Sequence, residues 1–236
     1  MRRKHKRSLA TIGAGALAAL VLTLGAHDKL PSPAATPGSA QATSVATPAA
    51  SSAEIARLLD TIPVAEIGRV DGYDRSCKKG HGCVYGPAWN DPQDHSGCDT
   101  RSRILRAQLR DVEFKPGTRN CKVIAGWTID PYTGNRITLK QIAIDHVVPL
   151  SFSWNAGAWQ WPLEQRVAFA NDPENLLAVS ASSNSSKQDS SLSEWLPDTQ
   201  KCAYVARFLR VTAKYQLPIS PADRATAVST CPPGAA

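Results

Sequence analysis

The chain has 236 residues and a formal net charge of +7 at pH 7. A basic balance favours polyanionic partners such as nucleic acid, but five of the basic residues lie in the first seven positions, which leaves +2 for the rest. Those five are Arg2, Arg3, Lys4, Lys6 and Arg7. Charge alone therefore selects no class of partner for this protein.

Residues 1–26 have the pattern of an export signal. A basic start precedes an apolar run over residues 9–26, which is typical of a secretory signal peptide. The run of about 18 residues also reaches the lower limit for a membrane-spanning helix, so an uncleaved N-terminal anchor that contacts the membrane stays open. We expect a secreted protein, or one tethered to the outer face of the cell membrane.

Residues 27–50 predict a flexible linker. From residue 30 onward this segment is rich in Pro, Ala, Ser and Thr and carries no charge, so it lacks the apolar residues that a core needs. Residues 51–236 are enough for one domain with its own core. We expect this domain to be monomeric, and the sequence implies no stable protein partner.

Six cysteines lie beyond the linker, and an even number in an exported protein predicts disulfides. Proximity along the chain favours three pairs: Cys77–Cys83, Cys98–Cys121 and Cys202–Cys231. A zinc site made by Cys77, His81, Cys83 and Cys98 is the alternative, but five residues separate the first two cysteines, more than zinc motifs favour. A thiol-dependent enzyme is disfavoured because pairing leaves no cysteine over and the chain has no C-x-x-C motif.

The first part of the domain predicts helices, an irregular loop and two strands. Ser51 and Glu54 form a capping-box pattern ahead of a short helix over 54–62. The Gly-, Asp- and Pro-rich segment 71–97 predicts a loop. Asp99 is placed to cap a helix over 100–112. Strands over 121–129 and 136–140 flank the turn 130–134.

The second part begins with a strand over 143–150 and ends in helices. Next come a helical insert over 151–170, which includes a helix over 162–172, and a strand over 175–179. A polar segment of poor helix propensity follows over 180–191. The chain ends with a helix over 199–215 capped by Asp198 and a last helix opened by Ser220 and Pro221. The fold class is therefore α+β, with short strands at the centre and a helical C-terminal part.

The pair Asp145-His146 interrupts the apolar strand at 143–150. Neighbours on a strand point to opposite faces, so one interpretation is a buried histidine beside an exposed aspartate. However, Asp-His on a strand is followed by Asn175, which opens a second strand, and then by Asn184. This is the order of a ββα-metal or HNH nuclease finger. A carboxylate and an amide hold a divalent cation with few ligands, and a histidine has the pKa of a general base.

The blocks DHVVPLSFSW at 145–154 and FANDPENLLAV at 169–179 resemble exported bacterial HNH endonuclease-like proteins, which are related to the C-terminal nuclease domain of GmrSD-type restriction enzymes. The resemblance covers 71–231. It implies a ββα-metal finger at about 140–190, embedded in a disulfide-stabilised mixed domain. Its implied roles are His146 as general base, Asp145 and Asn184 as metal ligands, and Asn175 as the supporting residue.

Three departures from the family pattern stand out. Asn184 takes the place of a histidine, and Gln188-Asp189 follows Lys187 where the family usually has Gly-Asp. The 28 residues between His146 and Asn175 are also more than compact fingers contain.

The expected function is hydrolysis of phosphodiester bonds in DNA, with RNA as the alternative, at low sequence specificity. The expected cofactor is one divalent cation, Mg²⁺ first and Mn²⁺ or Zn²⁺ as alternatives. Lys187 or Arg101 would neutralise charge that develops on the phosphate, although each also fits a solvated helix surface. The alternative function is an inactive extracellular module that binds nucleic acid or protein on the same fold.

Overall fold

The structure is a computed structural model that describes residues 52–232. The segments interpreted as signal peptide or anchor (1–26) and linker (27–50), together with Ser51 of the capping box, lie outside the described residues. Between residues 52 and 232 there is no helix long and apolar enough to cross a membrane.

Helices and short strands alternate along the described chain. Its α-helices are α1 (Ser52–Thr61), α2 (Thr100–Gln108), α3 (Leu150–Asn155), α4 (Leu163–Asn171), α5 (Ala181–Lys187), α6 (Lys201–Lys214) and α7 (Pro221–Thr230). Its strands are β1 (Arg110–Phe114), β2 (Val123–Ile129), β3 (Arg136–Thr138), β4 (Ile142–His146) and β5 (Leu176–Ser180). The prediction of an α+β fold with a helical C-terminal part is confirmed.

The strands form two antiparallel sheets, one of three strands in the order β1-β2-β3 and one of the two strands β4 and β5. In the second sheet Asp145 lies opposite Leu177 and His146 lies opposite Leu176. Helix α5 follows β5 directly and contacts both strands. The chain thus forms a strand–strand–helix unit, with the 29-residue connection between β4 and β5 (147–175) containing α3 and α4.

Two apolar clusters hold these elements together. The larger cluster is centred on α6, whose buried face packs against α1 and α7. In the smaller cluster α2 covers one face of the β4–β5 sheet, through Ile104 and Leu105 on the helix and Ile144 and Ala178 on the strands. Helix α5 contacts the same two strands, and Val179 of β5 belongs to the larger cluster, so several elements hold the sheet that carries Asp145 and His146 in place.

The three disulfides join Cys77 to Cys83, Cys98 to Cys121 and Cys202 to Cys231, so the predicted pairing is confirmed. The zinc interpretation is wrong, because its three cysteines are all consumed by disulfides. Within residues 52–232 no cysteine is free, which also removes the thiol-dependent enzyme from consideration.

Helix α2 is shorter than predicted, because the chain enters strand β1 at Arg110. Asp99 caps the start as expected, with Oδ1 accepting from Ser102 N at 2.6 Å. At the other end the Gln108 amide donates to Leu176 O and accepts from Ala178 N, both at 2.8 Å, along β5. Residues 110–112, predicted as the end of this helix, instead belong to β1 (Arg110–Phe114), which pairs with β2.

The prediction that Asp198 caps the long C-terminal helix is wrong. Helix α6 starts at Lys201 after Gln200, which adopts a left-handed conformation and makes no side-chain cap. Thr199 N donates to Tyr132 O at 3.1 Å. This bond ties the segment before the helix to the turn at 130–134 and delays the helix start.

Residues 181–187 of the polar segment at 180–191 form helix α5 despite their composition. Ser180 caps it, with Oγ accepting from Ser183 N at 3.1 Å. The last residue, Lys187, is fully buried. Capping and the contacts of Lys187 in the interior compensate for the weak helix propensity of serine and asparagine.

Candidate active site

Asp145 and Lys187 form a buried ion pair at the centre of the strand–strand–helix unit. Lys187 Nζ donates to Asp145 Oδ1 at 3.0 Å and to the backbone oxygen of His146 at 2.8 Å. Both side chains are shielded from solvent, by 96% or more. The interpretation of Lys187 as a solvated helix residue is therefore wrong, and its ammonium instead joins α5 to the end of β4.

Tyr132 completes the surroundings of Asp145. Its hydroxyl donates to Asp145 Oδ2 at 2.6 Å, so each carboxylate oxygen accepts one bond from a fully buried side chain. Burial raises the pKa of the Asp145 carboxyl, while Lys187 and the Tyr132 hydroxyl oppose that rise. Burial also holds the pKa of Tyr132 far above its ordinary value, which keeps this hydroxyl a donor.

His146 lies at the end of β4 with a fixed ring orientation. Nε2 lies 2.8 Å from Ala170 O, and because a carbonyl oxygen only accepts, Nε2 must carry the proton. The ring stacks on Trp89, with centroids 5.9 Å apart and planes 10° from parallel. Within residues 52–232 the ring makes no other hydrogen bond, so Nδ1 keeps an available lone pair.

The histidine is uncharged at neutral pH. Burial lowers the pKa of His146 to about 3, with smaller contributions in the same direction from Arg75 and Lys187, against the bond to Ala170 O. The neutral ring is the form that a base requires before it accepts a proton.

Acid is expected to destabilise the protein through His146. Between its folded pKa of about 3 and its ordinary value of 6.5, the unfolded chain binds a proton that the folded protein does not. This contribution to stability is fully present above pH 6.5 and is lost as the pH falls. From about pH 7.5 to about pH 5 the loss is roughly 2 kcal/mol.

Urea unfolding of the wild type and of His146→Gln at pH 7.5 and pH 5 measures this loss in the free energy of unfolding. The glutamine variant should lose about 2 kcal/mol less on acidification, because it has no imidazole to protonate. Equal acid sensitivity of the two proteins would contradict the assignment.

Asn175 fixes the chain that follows His146. Its Oδ1 accepts from Val148 N at 2.8 Å, and its Nδ2 donates to Val148 O at 3.1 Å. The Asn175 backbone oxygen accepts from Val147 N at 2.9 Å. A fully buried side chain thus binds both polar groups of one residue in the loop after β4, and this loop sets where β4 ends.

Asp145, His146 and Asn184 line one cavity of about 190 Å³, together with Arg75 and Asp189. The pleat directs the side chains of Asp145 and His146 to opposite faces, yet the strand ends here and both border the same space. Asn184 lies on α5, one turn before Lys187. The structure thus brings together four of the six residues singled out in the sequence as a candidate site: Asp145, His146, Asn184 and, through its contacts with Asp145 and His146, Lys187.

The other two predicted residues lie further from the cavity. Asn175 acts on the loop, as described, and does not border this space. Arg101 donates through Nη2 to Ile142 O at 3.4 Å, at the opposite end of β4 from His146. The structure does not bring Arg101 to the cavity.

Sequence reasoning missed Arg75, Tyr132 and Trp89. Arg75 is exposed and borders the cavity. It belongs to the disulfide-held loop, whose sequence has no periodic pattern of apolar residues from which its position could be predicted. Tyr132 lies in the turn at 130–134, where the sequence predicts a turn and no site residue. Trp89 stacks on His146 from another loop, and no sequence pattern could have indicated that contact.

The donor set at the cavity is compatible with one hard divalent cation. A carboxylate and an amide oxygen are suitable ligands, and Mg²⁺ commonly keeps several waters. Each Asp145 oxygen accepts one hydrogen bond and retains a lone pair. In residues 52–232 there is no group of three or more His, Cys, Asp or Glu side chains that could hold a metal, so any cation here would depend on the Asp145–Asn184 pair.

Residues 99–219 match the family described as GmrSD restriction endonucleases, C-terminal domain. This stretch includes every residue of the candidate site except the loop residues Arg75 and Trp89. The chain belongs to this family, and its domain is therefore related to nucleases. No solved structure matches the chain.

A relative described as an uncharacterized secreted protein comes from Arthroderma benhamiae. It is 33% identical over 187 residues, which cover 77% of this chain and 84% of the relative. The aligned stretch is longer than the family domain at 99–219, and the relative that it matches is described as secreted.

Proposed function

We propose that this protein is an exported HNH-type endonuclease that hydrolyses phosphodiester bonds in nucleic acid with one divalent cation. The observation that carries the proposal is the cavity in which neutral His146, with Nδ1 available, lies beside Asp145 and Asn184. Membership of a family related to restriction endonucleases supports it. DNA is the expected main substrate, with RNA as the alternative.

His146 is the proposed general base. Nδ1 takes a proton from water, the water oxygen forms a bond to phosphorus, and the bond from phosphorus to the leaving oxygen breaks. Solvent protonates the leaving oxygen. The bond from Nε2 to Ala170 O fixes the tautomer and strengthens as the ring gains positive charge, so the carbonyl stabilises the imidazolium that forms.

The cation would be held by Asp145 and Asn184, with Mg²⁺ as the expected ion and Mn²⁺ or Zn²⁺ as alternatives. A divalent cation at this position supplies charge stabilisation for the phosphate and the leaving oxygen. Lys187 orients Asp145 through its 3.0 Å bond and fixes the backbone at His146. We therefore assign Lys187 a positioning role and do not assign it a phosphate contact.

Arg75 is the proposed phosphate contact, in place of Arg101. Its side chain is exposed at the cavity, and no acidic partner binds it within residues 52–232. A guanidinium that has no internal partner is free to pair with a phosphate, often with two parallel hydrogen bonds.

Export is proposed on two grounds. Three disulfides are typical of proteins that fold in an oxidising compartment, and a 33% identical relative is described as secreted. The proposed nuclease would act outside the cell or at its outer surface.

The test is digestion of supercoiled plasmid DNA and of RNA by the oxidised 27–236 protein, with Mg²⁺, Mn²⁺ or a chelator. Cleavage that needs a divalent cation and stops in the chelator is expected. Absence of cleavage by well-folded protein with every metal would overturn the proposal.

An inactive binding module remains the second candidate, because one observation favours it. Both oxygens of Asp145 already accept hydrogen bonds from buried side chains, so the carboxylate is satisfied without a cation. Retained binding of nucleic acid in the chelator, with no cleavage under any condition, would select this alternative.

A further inference from the structure

A second and larger cavity, of about 650 Å³, lies beside the candidate active site. The two cavities share four lining residues: Tyr73, Ser151, Gln188 and Asp189. The two cavities are therefore adjacent, and the larger one is open to a polymer that has a phosphate beside His146.

A short strap, residues 69–75, forms one wall and is fixed to α3. Val70 N donates to Asn155 Oδ1 at 2.9 Å, and Trp154 Nε1 donates to Asp71 O at 3.3 Å. Tyr73 packs edge-on against Trp154 and Tyr85, at centroid distances of 6.2 and 6.3 Å. Tyr73 as a residue is nevertheless 36% exposed, and it lines both cavities, so a firmly held aromatic residue lies at their junction.

The charges of the two cavities differ. Each cavity is lined by one arginine and two carboxylates: Arg69 with Asp71 and Asp189 in the larger cavity, and Arg75 with Asp145 and Asp189 in the smaller one. In the smaller cavity Lys187 pairs with Asp145 at 3.0 Å, so only the larger cavity keeps an excess of carboxylate charge, which disfavours a phosphate. Its remaining polar groups include the amides of Asn155 and Gln188. Carboxylates and amides form hydrogen bonds with the donors and acceptors on base edges. Arg75, the proposed phosphate contact, lines the smaller cavity.

Gln188 has a backbone conformation that favours glycine. Its φ is +52° and its ψ is −125°, and such conformations are strained for a non-glycine residue and cluster at functional sites. The residue borders both cavities. A glycine here would relieve the strain but would remove the amide from the substrate path.

We propose that the larger cavity holds one unpaired nucleobase next to the scissile phosphate, with Tyr73 stacking on the base and Gln188 bonding its edge. The inference rests on the proposed nuclease function and names its substrate class. A cavity of this volume suits a ligand of small-molecule size. A base that is paired and stacked in a duplex must first leave the stack to enter such a cavity.

The test compares two labelled oligonucleotides of one sequence, one fully paired and one with a central unpaired stretch, as substrates of the oxidised 27–236 protein. We expect kcat/KM to be at least about tenfold higher for the unpaired site, since each stacked base contributes substantially to binding. Tyr73→Ala and Gln188→Ala should each reduce that preference several-fold. Gln216→Ala is the matched control, because Gln216 also has a positive φ, of 53°, but lies at the end of α6.

Binding of the unpaired oligonucleotide in a chelator, measured by fluorescence anisotropy, gives a readout that needs no turnover. Weaker binding by both variants with unchanged binding by Gln216→Ala supports the inference, even if no cleavage is found and the nuclease proposal fails. Equal cleavage of the two oligonucleotides, or variants that keep the wild-type preference, would overturn it and leave the nuclease proposal standing. Melting temperatures of the variants show whether Tyr73→Ala has damaged the fold, in which case Gln188→Ala decides.

Discussion

The His146→Ala variant is expected to lose nuclease activity, with kcat/KM falling by about 10²–10⁴-fold. The physical reason is the loss of Nδ1 as proton acceptor, since the ring's other nitrogen is committed to Ala170 O. Initial rates on plasmid DNA with saturating Mg²⁺ measure the effect. The buried ring also packs on Trp89, so a moderate loss of stability is expected as well.

Two controls separate chemistry from folding. His95→Ala removes an exposed histidine and should keep wild-type rates and stability. Added imidazole should restore part of the activity of His146→Ala, because the deletion enlarges a cavity that already exists beside the site. A folded His146→Ala protein with more than about a tenth of the wild-type rate would refute the general-base role.

The Lys187→Met variant is expected to lose about 3–5 kcal/mol in the free energy of unfolding. Removing the ammonium leaves the Asp145 carboxylate buried with only the Tyr132 hydroxyl as donor. An unpaired buried charge is far more costly than the pair is stabilising. Urea unfolding followed by tryptophan fluorescence measures the loss.

The double variant Asp145→Asn, Lys187→Met identifies the cause. With both charges removed, no carboxylate is left uncompensated, so the double variant should be more stable than Lys187→Met alone. Lys140→Met changes an exposed lysine and should shift stability by less than about 0.5 kcal/mol. If Lys187→Met is no more destabilising than Lys140→Met, the ion pair does not have the assigned role.

Several features of this protein follow from local sequence alone. Asp99 and Ser220 cap helices because their side chains reach backbone N–H groups a few residues ahead, an interaction that depends on neighbouring residues only. The three disulfides follow proximity along the chain. The strand that carries Asp145 and His146 was predicted from its apolar pattern, and the order of Asp145, His146, Asn175 and Asn184 was enough to suggest the candidate site.

The tertiary structure decided the features that depend on distant partners. Residues 110–114 form a strand because β2 offers its edge, and Asp198 does not cap α6 because Thr199 binds the turn at Tyr132. Lys187 became an internal ion-pair partner only because α5 packs over β4 and places Asp145 within 3.0 Å. A sequence pattern reports which face of an element is apolar, whereas the partner of a charged side chain depends on how elements far apart in the chain come together. For that reason Arg75, from a loop without periodicity, lies at the cavity where Arg101 was expected.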